Sequence, residues 1–301
     1  MNDKEILKRY DRALQDYANK IISGFQNCLG NQRRSSQPFL NGLFHFYLFC
    51  SYLVDSNLFP NDEKYTSLKI LYAKSPLALF GIYNCLQNGL VTEGAILLRS
   101  LFETYFNVKL ILKNDIEERL KLFDEFRFVE QWNNLQANKK LLKNSKLSKD
   151  TFDKTFTPSL VKEIEEKYSL VKSNYHPNLS HHWAWKIFKN ETKDQRNPSI
   201  AFIADKLDLG SDYVKVYGTL SIPVHNSASL LNMVSTRNVI SLVPNFSPLI
   251  YHVGCLAIGY ITSIIEDVVR YLGFGEPDEG STYVSAYTLA VHKLCNNDDN
   301  G

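Results

Sequence analysis

The sequence predicts an all-α protein, a single-domain helical bundle of about ten helices. Apolar residues recur every three or four positions in long segments, and no segment keeps the strict alternation of a half-buried strand. A chain of 301 residues, 44% of them apolar, can bury a large core as one large domain or two small ones. We expect residues 1–301 to form one domain to which residues 247–294 add the C-terminal helices.

Five helices are predicted in the first half of the chain, separated by Gly, Pro or polar loops. Pro38 opens the second helix, and the third is expected to break or start afresh near Pro76. Thr92 is the predicted N-cap of the fourth helix. The five segments are Asp3–Leu29, Phe39–Asp55, Glu63–Asn88, Glu93–Lys113 and Asp115–Leu142.

The second half of the chain contains shorter segments. Residues 143–158 are polar and rich in Lys, which predicts a surface excursion, and Thr157-Pro158 then opens a helix to about Lys172. Residues 174–197 look irregular, and residues 234–244 are expected as a short strand or extended loop without a partner strand. Further helices are predicted at Pro198–Gly210, Asp212–Met233, Pro248–Tyr271 and Ser281–Leu294.

Charge and cysteine usage indicate a cytoplasmic protein without a membrane anchor. The net charge of +2 gives no general attraction to nucleic acid or anionic lipid. The five cysteines are far apart, form no C-x-x-C pair and read as buried thiols of a reducing compartment. Residues 39–54 and 248–265 are uncharged, but they lie near the lower length limit for a bilayer span and are predicted as buried core helices.

The helix Glu93–Lys113 is the element around which the bundle is expected to form. It is apolar nearly all the way round, a pattern typical of a helix enclosed by other helices. Arg99 and Glu103 are four residues apart on one face of it, so their side chains can pair. The pair is predicted to be buried in the middle of the bundle. Because a buried charge costs several kcal/mol unless it is matched, it would be either a structural clamp or part of a site.

A second polar pattern lies on the predicted helix Asp212–Met233. Tyr213, Tyr217, Ser221 and His225 follow one another at spacing four and would form a stripe, with Pro223 kinking the helix beside them. If His225 faces the Arg99–Glu103 pair, a proton carrier, a carboxylate and a fixed cation would suit metal-free RNA cleavage. The alternative interpretation is an interior histidine and a helix clamp.

Histidines and tryptophans cluster in the irregular segment 174–197. His176, His181 and His182 lie close to Trp183 and Trp185, which suggests either a metal site or the stacking of a planar ligand. The H-x4-H-H spacing matches no zinc template, and the chain contains no P-loop or G-x-G-x-x-G motif. We therefore expect neither a metal nor a cofactor.

Three separated motifs resemble the bacterial family catalogued as the domain of unknown function numbered five-six-seven-seven. They are Asn88-Gly-Leu with Glu93-x-Ala95 and L-L-R-S-L-F-E ending at Glu103, then His182-Trp183, then Tyr217-x3-Ser221-x3-His225. The resemblance covers residues 65–233 and implies a helical bundle whose polar residues meet in one pocket. In style such proteins are similar to HEPN ribonucleases and abortive-infection proteins, although no arginine here has a histidine five positions later.

The resulting prediction is a metal-independent ribonuclease or toxin-like effector of a bacterial phage-defence or stress system. In it His225 is the acid and base, Glu103 its partner or second proton carrier, and Arg99 the phosphate clamp. The residues expected to bind substrate are Tyr217, Ser221, His182 and Trp183. The alternative is a non-catalytic module that binds a nucleotide or a partner, as a sensor or an oligomerisation protein. The expected partners are RNA or a nucleotide, and a second copy of the chain or an adjacent protein.

Overall fold

The computed structural model describes residues 36–54, 59, 62–176, 182–219, 233–236, 239–242 and 249–273. The fold is all-α, as predicted, and this part of the chain contains ten α-helices. They are α1 (36–54), α2 (Thr66–Gln87), α3 (Val91–Leu112), α4 (Ile116–Lys143), α5 (Lys149–Thr155), α6 (Pro158–Val171), α7 (Trp185–Phe188), α8 (Ile200–Lys206), α9 (Gly210–Tyr213) and α10 (Leu249–Tyr271). The predicted helices Asp3–Leu29 and Ser281–Leu294 lie outside the described residues.

The other elements within the described ranges are short. Three 3-10 helices occur at Glu63–Tyr65, Lys172–Asn174 and Lys193–Gln195, and a π-helix occupies Val214–Thr219. Two strands, β1 (Met233–Thr236) and β2 (Val239–Leu242), pair antiparallel with Met233 opposite Leu242. Residues 234–244 were predicted as one strand or loop without a partner strand, and this was wrong. The stretch contains β2 and most of β1, and both strands include β-branched residues, which favour strand structure.

The chain divides into two compact units. Of the described residues, the first unit comprises those within Met1–Leu58, Tyr72–Tyr105 and Val214–Gly301, and the second comprises those within Phe59–Leu71 and Phe106–Tyr213. Helices α2 and α3 therefore supply residues to both units. The expectation that residues 1–301 form one domain stays a prediction.

The core of the first unit is built from α1, α2, α3 and α10. Phe39 of α1 is 1% exposed, and its ring centroid lies 4.9 Å from that of Tyr251. Helix α10 buries one face through isoleucine, valine and alanine side chains, and Gly254 on it faces Phe39. The described residues of the uncharged segments 39–54 and 248–265 thus supply core side chains, but α1 is not enclosed as predicted, because Leu48 and Tyr52 on it are exposed.

Substituting Gly254 by Ala is expected to destabilise the first unit by about 1–3 kcal/mol, because an added methyl group overpacks a filled core. Its Cβ would lie 2.5 Å from Cζ of Phe39. Urea unfolding followed by circular dichroism measures the loss. Gly259→Ala is the matched control on α10: its Cβ meets nothing within 4 Å, so it is expected to stabilise the helix by up to about 1 kcal/mol. Equal effects of the two substitutions would contradict this packing.

One helix among the described residues is long and apolar enough to cross a membrane. This is Leu249–Tyr271, and 56% of its most apolar window is buried inside the protein. Mostly buried core helices of soluble proteins meet the same criterion of length and composition. The predictions of a cytoplasmic location and of no membrane contact stay predictions.

The second unit has its own core around α4, α5 and α6. Leu135, Phe152, Phe156 and Ile164 form a buried cluster, and the rings of Trp132 and Tyr168 stack at 4.7 Å beside it. The Lys-rich stretch predicted as a surface excursion therefore contains a helix, α5, because two phenylalanines among its polar residues provide an apolar face. Thr157 caps α6 as predicted, its hydroxyl accepting from the Leu160 amide.

Several helix boundaries differ from the prediction. Helix α3 begins at Val91, so Thr92 lies inside its first turn and is not its N-cap. Helix α1 already includes residues 36 and 37, so Pro38 lies within its first turn instead of opening it.

Helix α2 runs unbroken through Pro76. Proline leaves the carbonyl four residues earlier without its amide partner, and here the Ser75 hydroxyl donates to that carbonyl, of Tyr72, at 2.7 Å. Gly210 does not end α8. It begins α9, and α8 ends at Lys206, two residues before Asp208 takes up a left-handed conformation with φ of 60°.

Candidate functional site

Helix α3 brings Arg99 and Glu103 together as the sequence predicts. The two residues are one helical turn apart, and Nε of Arg99 lies 3.5 Å from Oε1 of Glu103. Both belong to the part of α3 that lies in the first unit. The predicted ion pair is therefore present.

The prediction that this pair is buried was wrong. The side chain of Arg99 is 26% exposed and that of Glu103 is 49% exposed. An exposed stripe of four residues, Glu93, Ile96, Ser100 and Glu103, runs along α3 at spacings of three and four. Ile96 on this stripe is 41% exposed. An apolar residue therefore lies on the solvent-facing side of α3, which is why the sequence predicts a helix that is enclosed all round. The pair is consequently only partly desolvated, and the Glu103 carboxylate is accessible to solvent.

Tyr217 completes a cluster with the ion pair, which we call the Glu103 cluster: Arg99, Glu103 and Tyr217. The Tyr217 hydroxyl donates to Oε1 of Glu103 at 2.5 Å. The guanidinium carbon of Arg99 lies 4.3 Å from the centroid of the Tyr217 ring, a cation–π contact. The carboxylate is thus held by a cation and a phenol at once.

The π-helix Val214–Thr219 carries Tyr217. The predicted α-helix Asp212–Met233 is not continuous, because α9 ends at Tyr213 and Met233 is the first residue of β1. Val214, Val216 and Gly218 are poor α-helix formers, so a regular α-helix is only weakly favoured over this stretch. Short π-helical segments occur frequently at functional sites.

The environment keeps the Tyr217 hydroxyl protonated. Burial raises the pKa of Tyr217, and the hydrogen bond to Glu103 raises it further, while Arg99 acts in the opposite direction. A phenol in this state donates a hydrogen bond at neutral pH. Ser221, Pro223 and His225 lie outside the described residues, so the polar stripe, the kink and the approach of His225 to Glu103 stay predictions.

Aromatic side chains of the first unit pack against Tyr217 of the Glu103 cluster. Phe102 is fully buried, and its ring meets that of Tyr217 edge-on at a centroid distance of 6.0 Å. Tyr260 of α10 lies 5.3 Å from Phe102 and stacks on Tyr105 at 5.1 Å. These rings fix Tyr217 against α3.

His182 and Trp183 belong to the second unit. Trp183 is 3% exposed, its indole N–H donates to Oδ1 of Asn107 at 2.8 Å, and Phe123 meets it edge-on at 5.5 Å. Nδ1 of His182 accepts from the Ala184 amide at 3.1 Å. These contacts account for Trp183 as a core side chain of that unit, and the proposed contact of both residues with a substrate stays a prediction.

Burial lowers the pKa of His182 to about 4. In the unfolded chain a histidine takes up its proton near pH 6.5. Stability is therefore fully present above that pH and is lost as the pH falls from about 6.5 to about 4, by up to about 3 kcal/mol. Urea unfolding at a series of pH values measures this loss.

His182→Asn is the informative variant, because an asparagine oxygen can accept from the Ala184 amide without titrating. The free energy of unfolding of this variant is expected to fall less steeply between pH 6.5 and 4 than that of the wild type. His176→Asn, in the same unit, serves as the control. If both variants keep the full slope of the wild type, His182 is not the group responsible.

No group of three or more His, Cys, Asp and Glu side chains within the described ranges is placed to hold a metal ion. His176 meets the Trp185 ring edge-on at 5.7 Å, and His181 lies outside the described residues.

A cavity of about 450 Å³ in the second unit was not predicted from the sequence. Its walls carry Lys113, Arg119, Lys186, Lys189 and Lys206. These residues come from the turn before α4, from α4, from around α7 and from the end of α8. No sequence motif joins them, and Arg119 stands among ordinary surface charges in the run E-E-R-L-K.

Fold and site together define an all-α protein with a solvent-accessible cluster of a carboxylate, a guanidinium and a phenol. The chain belongs to the family described as "Family of unknown function (DUF5677)", whose model matches residues 68–239. The matched range contains the Glu103 cluster, His182 and Trp183, and also Ser221 and His225. No curated protein and no solved structure matches the chain.

Proposed function

We propose that the protein is a metal-independent ribonuclease that acts through the Glu103 cluster together with His225. The observation that carries the proposal is the carboxylate of Glu103, which is half exposed to solvent and held by both Arg99 and Tyr217. A pre-oriented carboxylate beside a fixed cation is suited to proton transfer next to a phosphodiester. The likeness in style to HEPN ribonucleases suggests RNA as the substrate.

The proposed reaction is an intramolecular transesterification. The 2′-hydroxyl of the RNA attacks the adjacent phosphorus, and Glu103 accepts the proton that this hydroxyl loses. The bond from phosphorus to the 5′-oxygen breaks, and protonated His225 gives that oxygen its proton. Arg99 balances the charge that develops on the phosphoryl oxygens, while Tyr217 keeps the Glu103 carboxylate oriented. Ser221 would bind the substrate nearby.

We place this activity in the bacterial cytoplasm, as a toxin-like effector of phage defence or a stress response. That setting rests on the resemblance to abortive-infection proteins. Control of such an activity would come from a second copy of the chain or from an adjacent partner protein.

A second function is favoured by a specific observation. Tyr217 joins the π-helix to α3 through its contacts with Arg99 and Glu103, and both of these side chains are partly exposed, so a charged ligand that meets them would change how the two elements pack. In this proposal the cluster binds a nucleotide or a partner's charged group without catalysis and transmits its occupancy through helix packing.

Incubation of the purified protein with total RNA in the presence of a chelator tests the first proposal. We expect cleavage by the wild type and none by Arg99→Ala or His225→Ala, whereas Arg127→Ala, an exposed arginine on α4, keeps full activity. No cleavage by the wild type, or equal cleavage by all four proteins, would refute it. A nucleotide-induced rise in melting temperature that only Arg99→Ala abolishes would support the non-catalytic alternative.

A further inference from the structure

The cavity in the second unit is rich in positive charge. Five cationic side chains line it, Lys113, Arg119, Lys186, Lys189 and Lys206, against three carboxylates, Asp115, Glu118 and Glu191. Two of the carboxylates are already matched: Glu118 by Lys186 at 2.9 Å and Glu191 by Lys206 at 2.6 Å. The five cations exceed the three carboxylates, so the cavity keeps a surplus of positive charge. Of the other cations, Lys113 donates to the Lys206 carbonyl, and the Lys189 ammonium lies 5.5 Å from the centroid of the Trp185 ring.

Arg119 is the most buried of these cations. The residue is 8% exposed, and its Nη1 donates to the Leu110 carbonyl at 2.7 Å, in the last turn of α3. A guanidinium has five N–H donors, and within the described residues this one bond is the only hydrogen bond that Arg119 makes. Because Arg119 lines the cavity, its remaining donors are available to an anion there.

The cavity also has an apolar wall. Ile187 and Phe188 line it beside the lysines, and Phe188 is fixed by an edge-on contact with Phe202 at 5.8 Å. A volume of about 450 Å³ lies within the range of small-molecule sites and exceeds what a bare phosphate ion fills. A buried guanidinium, surrounding lysines and an apolar wall therefore suit a phosphate group attached to a flat organic moiety.

We propose that this cavity binds a phosphate monoester of nucleotide size, with Arg119 and Lys189 contacting the phosphate and Ile187 and Phe188 contacting the organic part. The proposal goes beyond the ribonuclease function. It concerns the second unit and uses no residue of the Glu103 cluster.

Isothermal titration calorimetry with three probes tests the proposal: adenosine 5′-monophosphate, inorganic phosphate and uncharged adenosine. We expect the monophosphate to bind, inorganic phosphate to bind more weakly because it lacks the apolar contact, and adenosine not to bind. The affinity should fall as salt is added, since lysines at the rim are screened. Absence of monophosphate binding at millimolar concentration, or equal binding of adenosine, would overturn the proposal.

Variants locate the binding. Arg119→Lys keeps the charge but removes the planar fork of donors, and is expected to weaken monophosphate binding about tenfold or more. Because Arg119 also bonds to Leu110, Lys189→Gln at the partly exposed rim is the second variant, with a loss of several-fold and an unchanged melting temperature. Lys162→Gln on α6, which does not line the cavity, is the matched control. Wild-type affinity in both cavity variants, or an equal loss in the control, would refute the assignment.

The result is separable from the ribonuclease proposal. Arg99→Ala is expected to leave monophosphate affinity unchanged, and Lys189→Gln is expected to leave RNA cleavage unchanged. A loss of monophosphate binding in Arg99→Ala with none in Lys189→Gln would move the ligand to the Glu103 cluster and overturn the cavity site.

Discussion

Phe102→Ala is expected to lower the free energy of unfolding by about 3–5 kcal/mol, the cost of removing a fully buried aromatic ring from a packed core. Phe102 is 0% exposed and touches Tyr217 and Tyr260. Loss of the ring leaves a cavity beneath the Glu103 cluster. Urea unfolding followed by circular dichroism measures the change.

Ile96→Ala is the control for this prediction. Ile96 lies on the same helix but is 41% exposed, so its truncation is expected to cost less than about 1 kcal/mol. The difference between the two variants reports which face of α3 packs inward. Equal losses would mean that α3 is enclosed on all sides, contrary to the structure.

Glu103→Gln is expected to lower the rate of RNA cleavage by about 100-fold or more, because a glutamine cannot accept the proton of the attacking hydroxyl. The amide oxygen of glutamine can still accept from the Tyr217 hydroxyl, so the melting temperature should change little. Single-turnover cleavage of a short oligoribonucleotide gives the rate, and a thermal melt gives the stability.

Glu93→Gln on the exposed stripe of α3 is the matched control for Glu103→Gln, with both rate and melting temperature expected at wild-type levels. A lower melting temperature with an unchanged rate in Glu103→Gln would identify the Glu103 cluster as a helix clamp and remove it from catalysis.

Local features of the site were predictable from the sequence. The spacing of Arg99 and Glu103 predicts their pairing, since residues four apart are neighbours on any α-helix. Burial was not predictable in the same way. Ile96 is apolar yet exposed. Because exposed apolar residues are common, the composition of α3 does not show which of its sides faces solvent.

Features that depend on tertiary structure were missed. The chain changes from α9 to a π-helix at Val214, which alters the four-residue spacing that predicted a polar stripe from Tyr213 onward. The periodicity of the sequence does not indicate such a change. The charged cavity joins residues as far apart as Lys113 and Lys206, which only the packing of the second unit brings together. Its key residue, Arg119, differs from neighbouring surface charges in burial alone.

Analysis of the RNA ends left by cleavage in the presence of a chelator tests the central claim most directly. Attack by the 2′-hydroxyl leaves a 2′,3′-cyclic phosphate on one fragment and a 5′-hydroxyl on the other, and mass spectrometry distinguishes these ends from those of hydrolysis. We predict cyclic phosphate ends from the wild type, and an oligonucleotide with 2′-deoxyribose at every position should remain intact. Fragments with 5′-phosphate and 3′-hydroxyl ends, or no fragments at all, would contradict a metal-independent ribonuclease at the Glu103 cluster.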